Sequence, residues 1–132
     1  MEQPFLVSVL PGQTNHPLWP DIEALLKPAA EYGGVKPFED GDLVWVAFRG
    51  PEIFGVCVTE GNAVKAIAGS RMKDWLPQLD EAVSDWARSN GMERLVALGR
   101  KGWLRHFQKY GWALRGEEDG RLLFEKELLD GR

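Results

Sequence analysis

The chain has 132 residues, room for one domain around one core and for no linker long enough to set off a second domain. Hydrophobic residues make up 44% and charged residues 27%, as in an ordinary soluble globule, and no run approaches the ~20 apolar residues of a membrane span. A net charge of -4 argues against a general affinity for nucleic-acid phosphates, and the one cysteine excludes an internal disulfide.

The amino-terminal MEQPFLVSVLPG has no basic region ahead of its apolar run, so no signal peptide is expected and synthesis in the cytoplasm is. FLVSVL, residues 5 to 10, reads as a first strand closed by Pro11 and Gly12. From Pro17 to Gly33, Leu18, Ile22, Leu25, Leu26, Ala29 and Ala30 recur at helical spacing. Pro20 suits a first turn, whereas Pro28 lacks an amide donor, so two short helices or one kinked helix are expected.

LVWVAF (43–48), IFGVCVT (53–59) and AVKAIA (63–68) are β-rich runs with short turns between them, the pattern of an antiparallel meander. Cys57 falls within the second run and reads as a small buried hydrophobe. Between Asp74 and Asn90, Trp75, Leu76, Leu79, Ala82, Val83, Trp86 and Ala87 make one apolar stripe. Asp74 or Ser70 is the expected cap of that helix, Pro77 falls in its first turn, and Gly91 is its left-handed stop. RLVAL (94–98) is a further strand, a helix from about Trp103 to Tyr110 ends at Gly111, and WALR and RLLFEKEL close the chain as a hairpin. Trp45 and Trp86 are expected in the core by their periodicity, and Trp19, Trp75, Trp103 and Trp112 in a cleft or contact surface. His16 and His106, far apart and without a second cysteine, give a metal site little to build on.

This order of elements resembles the GNAT (Gcn5-related N-acetyltransferase) fold. PEIFGVCVT is similar to the family's third strand, and RLVALGRKGWLRHFQKYGW to its fifth strand and following helix, ending in Lys109, Gly111 and Trp112. The resemblance implies an α/β (α+β) domain with a central mixed, mostly antiparallel sheet of about six to seven strands and about four helices. It also implies an acetyl-CoA site. Phosphates would lie at the turn carrying Ser70, Arg71, Met72 and Lys73, and the pantetheine arm against the fourth strand at Ile67 and Ala68.

The chain departs from the family pattern at several of these positions. Gly69 is present but the second glycine of the phosphate turn is not, and Asp74 as a cap would put a carboxylate near the phosphates. Counting back from Gly111, Arg100 stands at the family's asparagine, Trp103 at its small alanine and Phe107 at its proton-donating tyrosine. Tyr110, nearly one turn later, is the remaining candidate for the general acid. For a base, the fourth strand offers only Lys65, with Glu60 in the preceding turn.

Arg100, Lys101, Arg105, His106 and Lys109 form a basic patch that, with Trp103, reads either as a solvated helix face or as a docking surface for a nucleotide phosphate or an acidic partner chain. GRKGW followed by a glycine-aromatic pair is also similar to compact GNAT-like proteins of tailed bacteriophages. Two functions are therefore carried forward: a non-catalytic virion or assembly protein with a degenerate coenzyme site, and an acyl-CoA-dependent N-acetyltransferase with an atypical one.

Overall fold

The computed structural model describes residues 5–11, 19–33, 42–99, 107–118 and 120–128. β1 (Leu6–Pro11) leads to α1 (Trp19–Gly33), then β2 (Leu43–Arg49), β3 (Glu52–Glu60) and β4 (Ala63–Gly69). α2 (Met72–Ser89), β5 (Arg94–Gly99), β6 (Trp112–Glu118) and β7 (Arg121–Glu127) follow. The strands form one seven-stranded sheet in the order β1-β2-β3-β4-β5-β7-β6. Every pairing is antiparallel except that of β4 with β5.

Both faces of β2, β3 and β4 are covered, which is why β2 and β3 read as near-continuous apolar runs instead of alternating ones. Val44, Val46, Val56, Val58 and Ala66 face α1 and enclose its Ile22 and Leu26. Trp45, Ala47, Cys57, Ile67, Leu95, Ala97 and Phe124 face α2 and meet its Trp75, Leu76, Leu79 and Val83. The register of β3 against β4 steps from Val58↔Ala66 to Thr59↔Val64, so Lys65 is an inserted bulge residue. That insertion lets Val64 and Ile67, three positions apart, both enter the α2-side core.

The meander and the terminal hairpin agree with expectation. α1 is a single helix with Pro28 inside it, and the described residues hold two helices instead of about four. The expected helix from Trp103 lies mostly outside them, its described portion being a last helical turn at 107–108. The start of α2 departs most from expectation. Its cap is Arg71, at φ 56 and ψ 38, and no side chain caps it. Asp74 instead accepts a hydrogen bond from Arg71 Nε at 2.9 Å. Because α2 begins at Met72, Pro77 lies beyond the first turn and removes none of the helix's leading amide donors. Gly91 ends the helix at φ 77, as expected.

The tryptophans sort differently from their sequence reading. Trp45 is core, its indole N–H donating to Thr59 Oγ1 at 3.0 Å and its ring meeting Trp86 edge-on at 5.7 Å. Trp75 and Trp112, expected on a cleft or contact surface, are buried as well. Each has a bulky ring on the core side of its element and a specific acceptor for its N–H, so burial leaves no donor unmet. Among the described residues, no helix is long and apolar enough to cross a membrane.

Candidate functional site

A gap between β4 and β5 defines the site. The two strands pair only through Ala63↔Val96 and Val64↔Ala97. Beyond those pairs β4 runs on to Gly69 and β5 to Gly99 without a shared ladder, so the sheet opens toward the carboxyl ends of both strands. In an open α/β sheet that is where ligands bind, since backbone groups and a helix start converge there. On its other side β4 stays paired to β3 from Glu60↔Ala63 to Gly55↔Gly69, which leaves the edge facing the gap as the unpaired one.

The turn from β4 into α2 closes the mouth of the gap and is tightly determined. Gly69 has φ 142, and a Cβ there would lie 2.2 Å from the Phe54 carbonyl oxygen, so only glycine fits. Ser70 N–H donates to that same oxygen at 2.9 Å, while the Ser70 carbonyl accepts the Trp75 indole N–H at 2.7 Å. Trp75 reaches it by lying flat over Gly55 of β3, where an added Cβ would stand 2.1 Å from the ring. Its indole therefore covers β3 and does not fill the gap. Arg71 follows in the left-handed conformation, and its carbonyl accepts the Asp74 amide at 2.9 Å.

Arg71 and Lys73 are exposed at this turn, as is Asp74, whose carboxylate pairs with Arg71 at 2.9 Å. The Arg71 guanidinium carbon lies 5.6 Å from the ring centres of Phe5 and of Phe54, which pack edge to face. Arg49 stacks at 4.0 Å on the Phe5 ring. With Lys73 beside them and no capping side chain among the described residues, the amino terminus of α2 presents amides and positive charge to the mouth of the gap. Ser70, Arg71, Met72 and Lys73 form the turn itself and the start of α2. Ile67 and Ala68 border the gap through their backbone, the Ile67 side chain being turned into the α2-side core.

The far side of the gap is different. Phe107, at the family's tyrosine position, is buried, its ring 4.8 Å from Trp112 and 4.9 Å from Phe124. Tyr110 is half-buried against the same cluster, its amide donating to the Phe107 carbonyl at 3.0 Å. Lys109 is exposed. Arg100, Trp103 and Arg105, with Lys101 and His106, lie outside the described residues. Under the gap, a residual cavity of only about 20 Å³ is lined by Val64, Ile67, Leu79 and Phe107, among others.

Two charge pairings were not anticipated. Lys65, the bulge residue, pairs with the buried Asp42 at 2.9 Å, and Glu60 lies 3.9 Å from the same ammonium. The one visible signal was a lysine interrupting an apolar run. On the α2 side, Asp80 accepts the Trp112 indole N–H at 2.7 Å and pairs with Lys126, whose ammonium also donates to Ser84. Burial, reinforced by the nearby Asp80 carboxylate, pushes the Cys57 thiol well above its ordinary range and keeps it protonated, as befits a core residue. Among the described residues no group of side chains could hold a metal ion.

No protein-family model and no curated protein sequence matches the chain. Solved structures do. The catalytic domain of the Tetrahymena GCN5 histone acetyltransferase, in complex with coenzyme A, superposes with a TM-score of 0.75 at 14% identity, over 100% of this chain and 98% of that one. A GNAT family acetyltransferase from Elizabethkingia anophelis with acetyl-CoA bound gives 0.62 at 18% identity, over 92% and 97%. A Bacillus subtilis acetyltransferase in complex with CoA gives 0.64 at 17% identity, over 94% and 100%. The chain has the GNAT fold.

Proposed function

We propose that the protein binds an acyl-CoA in the gap between β4 and β5 and transfers its acyl group to an amine. The observation that carries this reading is the gap itself, which ends at an uncapped helix start beside Arg71 and Lys73. Similar folds carry coenzyme A or acetyl-CoA in their solved structures. In this reading the Arg71 and Lys73 side chains and the amides of Arg71, Met72 and Lys73 hold the coenzyme phosphates. The unpaired edge of β4 at Ile67 and Ala68 receives the amide-bearing pantetheine arm, with Arg100 and Trp103 on the opposite side. The acceptor nitrogen attacks the thioester carbon, the carbon–sulfur bond breaks, the departing thiolate takes a proton from Tyr110, and the nitrogen gives its proton to solvent water, from which Tyr110 is reprotonated.

A second reading is favoured by the burial of Phe107, which leaves the usual acid position without a hydroxyl. Here the fold serves as a non-catalytic virion or assembly protein of a bacteriophage, docking partner chains through Trp103, Arg100, Arg105 and Lys109.

Thermal unfolding with and without ~1 mM acetyl-CoA tests the first reading. For a dissociation constant of ~10 μM, linkage gives ~2.7 kcal/mol of stabilisation and a shift of several degrees. A shift of that size, followed by acyl transfer in an amine screen that Tyr110→Phe abolishes, supports the enzyme. A folded protein whose unfolding ignores acetyl-CoA leaves the scaffold reading.

A further inference from the structure

The β4–α2 turn lacks the second glycine of the family pattern, yet its backbone is held in a left-handed turn by an interaction of a different kind. The Ser70 carbonyl is fixed by the Trp75 indole N–H at 2.7 Å, and the Ser70 amide by the Phe54 carbonyl at 2.9 Å. The described residues contain no cis peptide, so the Ser70–Arg71 peptide is trans and its C=O and N–H point in opposite directions. A carbonyl drawn inward to a fully buried indole therefore turns the Arg71 N–H outward, to the side on which α2 begins. Trp75 can occupy that place only because Gly55 of β3 has no side chain, as any Cβ would overlap the ring.

The geometry points to Trp75 as the positioning residue of the phosphate-binding turn: its indole N–H sets the Ser70–Arg71 peptide so that the Arg71 amide joins those of Met72 and Lys73 in facing the coenzyme phosphates. The inference rests on the coenzyme reading above and adds to it a residue that touches no ligand. It also accounts for a non-glycine residue at positive φ, a conformation that persists only where its surroundings over-determine it. Here those surroundings are two hydrogen bonds on Ser70, one on the Arg71 carbonyl and the Arg71–Asp74 pair.

Trp75→Phe tests it, because the ring still covers Gly55 while the donor is lost. Acetyl-CoA binding is measured by titration calorimetry well below the unfolding temperature of each protein, with circular dichroism confirming that both are folded. The expected result is about tenfold weaker binding by the variant, the size of one lost positioning hydrogen bond. A purely structural tryptophan would lower the unfolding temperature and leave the dissociation constant within about twofold of wild type; that result overturns the inference while the coenzyme reading stands. If the wild-type protein itself does not bind, the coenzyme reading falls and this inference with it. Should Trp75→Phe not fold, 15N-labelled wild-type protein titrated with coenzyme A decides. The Arg71 amide should be among the signals that move most, with the Trp75 indole proton protected from exchange before and after. An indole proton exchanging at solvent rates, or an unmoved Arg71 amide in a saturated sample, overturns the proposal.

Discussion

The two ends of the candidate site contrast: one is built of main-chain amides at a helix start, the other of packed aromatic rings. At the β4–α2 turn a non-glycine residue, Arg71, holds the left-handed conformation, φ 56, that a glycine would adopt freely. After β5, Gly111 at φ 88 ends the helical turn, and Phe107, where the resemblance implies a tyrosine, lies among Trp112 and Phe124. A binding element made of main-chain amides can survive substitution, provided tertiary contacts fix the peptide planes. An element that depends on one hydroxyl cannot.

The largest expected effect lies under the second region. Asp80 receives the Trp112 indole N–H and the Lys126 ammonium, and both carboxylate and ammonium are mostly shielded from water. Asp80→Ala leaves the Trp112 indole N–H without its acceptor and the Lys126 ammonium without its counter-charge, with only Ser84 to accept from it, and urea unfolding should show a loss of about 3–5 kcal/mol. A loss below about 1 kcal/mol would mean that the pair behaves as a surface bridge and that Trp112 is held by packing alone. The first region breaks next. Gly55→Ala sets a methyl 2.1 Å from the Trp75 ring, in a place where the indole cannot retreat without leaving the Ser70 carbonyl. Overpacking of this kind should cost about 1–3 kcal/mol in the same measurement and weaken acetyl-CoA binding as well.

Phe107→Tyr probes the contrast directly. If the position belongs to the core, the new hydroxyl is buried against two aromatic rings, and stability should fall by about 1–3 kcal/mol with no gain in acyl transfer. A rise in transfer of about tenfold or more would show instead that the hydroxyl reaches the gap, and the contrast between the two ends would collapse.

Much of the architecture was legible in the sequence because it rests on periodicity. Apolar runs bounded by Gly50, Gly61 and Gly120, each at positive φ, gave the strands and their hairpins, and the stripe from Trp75 to Ala87 gave α2. The site was less legible. Gly69 pointed to the turn of Ser70, Arg71, Met72 and Lys73, whereas Trp75 was expected on a cleft or contact surface and is buried. Nothing local indicates that its ring lies over a glycine two strands' length earlier in the chain. The same holds for Asp80 with Lys126, 46 residues apart, and for Lys65 with Asp42, 23 apart. Pairings across the fold leave no periodic trace. The cap of α2 was misassigned for a related reason: Asp74 has the right chemistry for a cap, but an arginine in the left-handed turn takes its carboxylate first.

The smallest effect on stability should come from Arg71→Gly, and it separates what the turn needs from what the ligand needs. Glycine adopts φ 56 without the penalty of about 1–2 kcal/mol that a side chain suffers there. Against that gain stand the greater flexibility of glycine in the unfolded chain and the loss of an ion pair with Asp74 that is exposed at both ends and contributes at most about 1 kcal/mol. The balance should lie within about 1 kcal/mol of wild type in urea unfolding. Coenzyme binding should not stay level. Glycine at position 71 keeps the turn but removes one positive charge from its rim, so acetyl-CoA should bind more weakly at low salt. The slope of log Kd against log salt should flatten by about one ion's worth, because one fewer cation meets the phosphates. If affinity and slope both match wild type, the Arg71 guanidinium is a surface group held by Asp74 and the phenylalanine pair, and the amides alone hold the phosphates.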